Sequence, residues 1–130
     1  MDIIVSDLFS IAIDGPVAVG KTVVAKVLAK KLGFIYLDTG LMYRAVTYTV
    51  LQHNLDFRKE SQIIDLIGKL RIWVESSEDV QKVIVSGEDV SNFLRLKSVE
   101  ENVSYISSIR QVRSILVELQ REIARNNSIV

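Results

Sequence analysis

A parallel α/β layer fold, interrupted by one small antiparallel hairpin, is the architecture this sequence predicts. Two short apolar runs near the amino terminus are each followed by a turn and a helical pattern. A glycine-framed turn sits at the first of these junctions, and near residue 70 the apolar period shifts from about 3.6 to 2. Strand, turn, helix, strand, turn, helix is the order from which parallel layers are built.

The first strand is Phe9-Ser10-Ile11-Ala12-Ile13, stopped by Asp14-Gly15-Pro16, which holds the only proline. Val23, Val24, Val27, Leu28 and Leu32 recur at helical spacing, and Gly33 ends that helix. Phe34-Ile35-Tyr36-Leu37 is a second apolar run, closed by Asp38-Thr39-Gly40. A second helix follows through Leu41, Met42, Ala45, Val46, Thr49 and Val50, and Ile63, Ile64, Ile67 and Leu70 mark a short third one. Leu70, Ile72 and Val74 then alternate with Arg71, Trp73 and Glu75. Beyond Ser76-Ser77-Glu78-Asp79, the run Val83-Ile84-Val85 ends at Gly87, which makes a hairpin. From Ser98 to about Arg125 the pattern is helical, with Ile109, Val112, Leu116, Leu119 and Ile123 on one stripe and Ser107-Ser108 as its dividing point. The chain turns apolar again at Ile129-Val130. Residues 1–56 thus form the first part of a core, 57–97 an insert, and 98–130 a return to the core.

Composition narrows the chemistry. With 130 residues, 48% of them hydrophobic and 25% charged, the chain suits one soluble domain. Sixteen basic residues balance sixteen acidic ones, which disfavours a broad grip on nucleic acid or an anionic membrane. The lack of cysteine excludes a disulfide scaffold, a thiolate nucleophile and a zinc-thiolate site. A single histidine, His53, offers no His-rich metal site. Asp2 and Asp7 stand where a signal peptide is basic, and no apolar run approaches the ~20 residues of a membrane span. A cytoplasmic protein is expected.

Gly15-Pro16-Val17-Ala18-Val19-Gly20-Lys21-Thr22 satisfies the P-loop pattern between a predicted strand and a predicted helix. Such a loop turns its N–H groups around phosphate oxygens, and glycine permits the dihedrals and the close approach. The helix behind it offers its positive end to the same anion. Lys21 is then the catalytic cation at the β/γ-phosphates, and the Thr22 hydroxyl is a ligand for Mg²⁺. Asp38-Thr39-Gly40 follows the second strand, at the end of the sheet where such folds bind ligands. Arg44, in Met42-Tyr43-Arg44, carries a fork suited to phosphate. By themselves an Asp-Thr-Gly reads more often as a helix cap, and an arginine as a solvated cation.

Together Ile13-Asp14-Gly15-Pro16 through Lys21-Thr22, Tyr36-Leu37-Asp38-Thr39-Gly40 and Met42-Tyr43-Arg44 resemble the opening of bacterial cytidylate kinases. Gly87-Glu88-Asp89-Val90-Ser91, Val112-Arg113 and Gln120-Arg121 continue the resemblance in the same order. It implies the P-loop nucleoside-monophosphate-kinase fold, with a parallel sheet in the order 2-3-1-4-5 of which this chain supplies the first two strands and the start of the third. It also implies transfer of the ATP γ-phosphoryl group to CMP or dCMP with Mg²⁺, and it makes residues 57–97 the monophosphate-binding insert. Arg44 would hold the acceptor phosphate, Asp38 and Thr39 would line the acceptor site, and Ser104 and Arg113 would face the cytosine. Without the resemblance, Ser104 is equally a small residue beside the stripe of Val99, Val103 and Ile106, and Arg113 a solvated flank.

The chain departs from the family pattern in places. Val23 stands where a hydroxyl residue commonly follows the Lys-Ser/Thr pair, and Arg110 where proline is frequent. An Asp-Gly-Arg-Asp segment and an arginine-rich lid, implied further along, are not among the 130 residues. The resemblance therefore implies an incomplete kinase, inactive alone and either self-associated through unpaired sheet edges or partly ordered. Two other readings stay open: a non-catalytic nucleotide-binding fragment that needs a second chain, and a different small-molecule P-loop kinase.

Overall fold

Glycine sets both ends of the first helix. In the computed structural model, which describes residues 10–13, 20–77, 80–126 and 128–130, α1 runs Lys21–Leu32 between Gly20 (φ 82°) and Gly33 (φ 68°). Both glycines are left-handed, which a side chain would strain. The Gly33 N–H turns back to the Ala29 and Lys30 carbonyls, and Lys30 and Lys31 complement the negative helix end. The chain divides into two compact units, Met1–Leu37 with Arg121–Val130, and Asp38–Gln120.

In the first unit the buried face of α1 is not the expected one. Val23, Val24, Val27 and Leu32 are exposed, Val24 by 56%, whereas Ala25 and Ala29 are buried. Ala25 and Ala29 meet Val130, and Ile11, Ile13, Leu28, Phe34 and Tyr36 pack against them. Two small side chains let neighbouring backbone approach the helix more closely than the branched valines would. Of the expected apolar stripe, only Leu28 joins this core.

The segments expected as strands meet through single residues. Ile129 forms parallel bridges to both Ser10 and Ile35, so it lies between them. Ile11 N–H donates to Ile129 O at 3.0 Å, Ile35 N–H to Ser128 O at 2.8 Å, and Leu37 N–H to Val130 O at 2.9 Å. Among the described residues these are isolated parallel bridges and not a ladder. Asp14 through Val19 lie outside those residues.

The second unit carries the other elements: α2 (Thr39–Gln52), α3 (Glu60–Lys69), β1 (Ile72–Ser77), β2 (Val80–Val85), β3 (Glu88–Asp89), a 3-10 turn (Ser91–Phe93), α4 (Lys97–Ser108) and the start of α5 (Arg110–Asn126). The strands form one antiparallel sheet in the order β1-β2-β3. The expected hairpin is present, with Ile72 opposite Val85 and Val74 opposite Val83. Ile72, Val83 and Val85 are buried while Trp73 is exposed, as period-2 alternation demands. Ser86 (φ 49°) and Gly87 (φ 88°) then turn the chain into β3, which the sequence pattern does not announce.

Asp89 fastens this turn. Its Oδ1 accepts from the Ser91 N–H at 2.9 Å, and the Ser91 Oγ in turn accepts from the Val83 N–H at 2.9 Å. Met42, Ala45, Val46 and Val50 of α2 are fully buried, as are Val99 and Ile106 of α4. Thr47 and Thr49 are buried on α2 with hydroxyls donating to the Tyr43 and Ala45 carbonyls at 2.8 and 2.9 Å. The long helical pattern splits at Ile109 (φ −72°, ψ 118°), just after Ser107-Ser108. The serine hydroxyls donate to the Val103 and Tyr105 carbonyls of the last α4 turn, and Ile109, Val112 and Leu116 are buried beyond the break.

Candidate functional site

Of the phosphate-loop motif, Gly15 through Val19 lie outside the described residues; Gly20, Lys21 and Thr22 are described. Lys21 and Thr22 are exposed in the first turn of α1, where a helix has unpaired N–H groups and its positive end. No acidic side chain occupies that turn to cancel it. The Thr22 hydroxyl makes no hydrogen bond among the described residues. Those residues also hold no cluster of three or more His, Cys, Asp or Glu side chains. The Thr22 hydroxyl is a hard oxygen of the kind that Mg²⁺ accepts.

The other candidates belong to the second unit. Asp38 is the N-cap of α2 without a side-chain cap bond, and its N–H donates to Gln81 Oε1 at 3.0 Å. The Asp38 Oδ1 lies only 3.1 Å from where a Cβ on residue 40 would sit, so glycine there leaves the carboxylate room above the helix start. Thr39 is exposed beside it, and four residues later Tyr43 occupies the same helix face.

Arg44 follows on α2, and its fork is engaged. Nη1 donates to Glu100 Oε1 at 2.5 Å and to the Leu94 carbonyl at 3.3 Å, and Nη2 donates to Glu100 Oε2 at 3.2 Å. The Arg44 side chain is 21% exposed and that of Glu100 46%. The hydrogen bond from Arg44 holds the Glu100 carboxyl below the usual carboxylate range, against a small effect of burial, with the charges of Arg44 and Arg95 adding to it. Ser104 stands one turn beyond Glu100 on α4, exposed, its hydroxyl without a hydrogen bond among the described residues.

Arg113 is exposed on α5 and makes no ion pair among the described residues. Its charge nevertheless reaches Tyr43. Burial pushes the Tyr43 phenol up, and the Arg113 cation partly opposes this. Glu100 is the participant that no sequence motif flagged; its only sequence mark is the four-residue spacing to Ser104. His53, the sole histidine, is tied to the Thr49 carbonyl at 2.9 Å. No helix among the described residues is long and apolar enough to cross a membrane.

Comparison with known proteins covers the segment that carries these residues. A family model described as cytidylate kinase matches residues 11–130. A cytidylate kinase of Lactobacillus gasseri is 43% identical over 123 residues, which is 95% of this chain and 54% of that protein. One from Bacillus cytotoxicus is 42% identical over 121 residues, covering 93% of this chain and 54% of its own length. One from Lactobacillus johnsonii is 44% identical over 123 residues, with 95% and 54% covered. The chain spans about half the length of the curated relatives it matches. With a match over nearly its whole length, the chain belongs to the cytidylate kinase family.

Proposed function

We propose that this chain carries the phosphate loop and the acceptor site of an enzyme that transfers the ATP γ-phosphoryl group to CMP or dCMP. The observation that carries this is the part-buried Arg44 of α2, its guanidinium held by Glu100 and the Leu94 carbonyl, within a chain that the cytidylate kinase family model matches over residues 11–130. Arg44 binds the acceptor phosphate, Arg113 and Ser104 the cytosine, and Asp38 and Thr39 line the site. Residues 57–97 serve as the monophosphate-binding insert. Lys21 and the loop residues Gly15, Pro16, Val17, Ala18, Val19 and Gly20 hold the donor phosphates, and Thr22 holds Mg²⁺, whose bound charge neutralises the phosphoryl oxygens. Catalysis here consists of orienting two anions and offsetting their charge.

The parallel sheet, cytoplasmic location and small-molecule partners belong to the same reading. So does negligible turnover by this chain alone, because its 130 residues include no arginine-rich lid to stabilise the transferring group. Calorimetric titration of the chain with CMP, dCMP, AMP and GMP tests the acceptor site, and a coupled assay with MgATP tests turnover. The two cytidine nucleotides are expected to bind well ahead of the purines. Equal affinity for all four would overturn the cytidylate assignment, since a site built to hydrogen-bond one base leaves polar groups unpaired with another.

A further inference from the structure

Arginine carries five N–H donors in a rigid plane, and they form two edges, one between Nη1 and Nη2 and the other between Nη2 and Nε. In Arg44 the first edge is filled. Both Nη1 hydrogens are engaged, by Glu100 Oε1 and the Leu94 carbonyl, and one Nη2 hydrogen is engaged by Glu100 Oε2. The remaining Nη2 hydrogen and the Nε hydrogen have no partner among the described residues. They are adjacent and parallel, the geometry that matches two oxygens of one phosphate. The α4 carboxylate and the Leu94 carbonyl thus fix the plane and the roll of a side chain that would otherwise be free to rotate.

We propose that Glu100 is a positioning residue for the acceptor phosphate: it clamps one edge of the Arg44 guanidinium and turns the other, Nε–Nη2, towards the phosphate. The proposal rests on the acceptor-site reading above and adds a residue to it. Arg44 stands between the carboxylate and the incoming anion, and Arg95 adds positive charge near Glu100, which limits repulsion between the two anions. Holding the guanidinium before the ligand arrives removes ordering that binding would otherwise have to supply. A carboxylate that merely competed for Arg44 would act in the opposite direction, so the sign of the effect separates the two roles.

The test compares the 130-residue chain with its Glu100→Ala and Glu100→Gln variants. Each is titrated with CMP and with cytidine, which lacks the phosphate, and each is checked for unaltered folding by circular dichroism. Glutamine keeps the size of Glu100 and guards against a loss of fold in the alanine variant. Both substitutions are expected to weaken CMP about three- to tenfold and to leave cytidine within about twofold, so that the preference for CMP over cytidine falls. A helix-packing role alone would shift both ligands together. CMP affinity unchanged or increased in the folded variants would overturn the proposal, an increase identifying Glu100 as a competitor for Arg44. An unsubstituted chain with no preference for CMP over cytidine would instead overturn the acceptor-site reading, and the positioning role with it.

Discussion

Replacing Val24 and Ala29 of α1 separately gives effects opposite to those their side-chain sizes suggest. Val24 is 56% exposed and Ala29 only 3%. Two fully buried methyl groups are worth about 1.6 kcal/mol at ~0.8 each, so Val24→Ala at this exposure loses about 0.7 kcal/mol. Alanine recovers about 0.5 kcal/mol through its better helix propensity, leaving a change of a few tenths. Ala29→Leu forces extra methylenes between α1 and the core of Ala25 and Val130, which costs about 1–3 kcal/mol. Hydrogen exchange of the α1 amides reads local stability directly. Protection is expected to fall about 5- to 140-fold in Ala29→Leu and to stay within about twofold in Val24→Ala, at ~1.4 kcal/mol per tenfold. Equal damage by both, or the reverse order, would show that the valines form the buried face after all.

The other predictions concern the site. Lys21→Ala deletes the mobile cation of the loop motif, and titration with MgATP is expected to show an affinity about 10- to 100-fold lower, the worth of a charged hydrogen bond. Arg113→Met should weaken CMP about tenfold by the same measure and leave MgATP affinity unchanged. It also removes the cation that opposes the raised Tyr43 pKa, so the Tyr43 resonance followed by NMR should titrate at still higher pH. Glu100 is the group to follow on acidification. Its carboxyl is held below its ordinary 4.5 by Arg44, so what the pair contributes to stability is complete above the unfolded-state pKa and fades as pH falls through the lower folded value. Carboxyl NMR should show this low midpoint, and Arg44→Met should return it to the ordinary range.

The parts of this molecule written in sequence are those governed by local chemistry. Gly20 and Gly33 bound α1 because left-handed backbone favours glycine, and Ser107-Ser108 marks the helix break because serine hydroxyls divert carbonyls at a helix end. The β1–β2 pairing follows from alternation alone. What the sequence hides is long-range. A stripe of valines outranks two alanines on any hydrophobicity scale, yet which face of α1 is covered depends on Val130, far along the chain. Likewise β3 is two residues whose pairing comes from the Ser86-Gly87 turn and not from any apolar pattern. Among the candidate site residues, Asp38, Thr39 and Arg44 stand out through contiguous motifs. Glu100 does not, because its ion pair with Arg44 joins two helices 56 residues apart and belongs to no contiguous motif.

Ile129, set between Ser10 and Ile35, has a consequence for the order of folding. Those two segments obtain their common neighbour only by closing a loop over nearly the entire chain, and contacts of such separation form late because loop entropy opposes them. The unit Asp38–Gln120 is continuous in sequence, and its hairpin and helix contacts close over much shorter spans. It can therefore form before Ile129 reaches Ser10 and Ile35. Until then Ser10 and Ile35 carry backbone groups with no native bridge to receive them, and an unpaired extended segment invites pairing with another chain. The interval between forming the second unit and docking Ile129 is thus one in which these segments are open to aggregation.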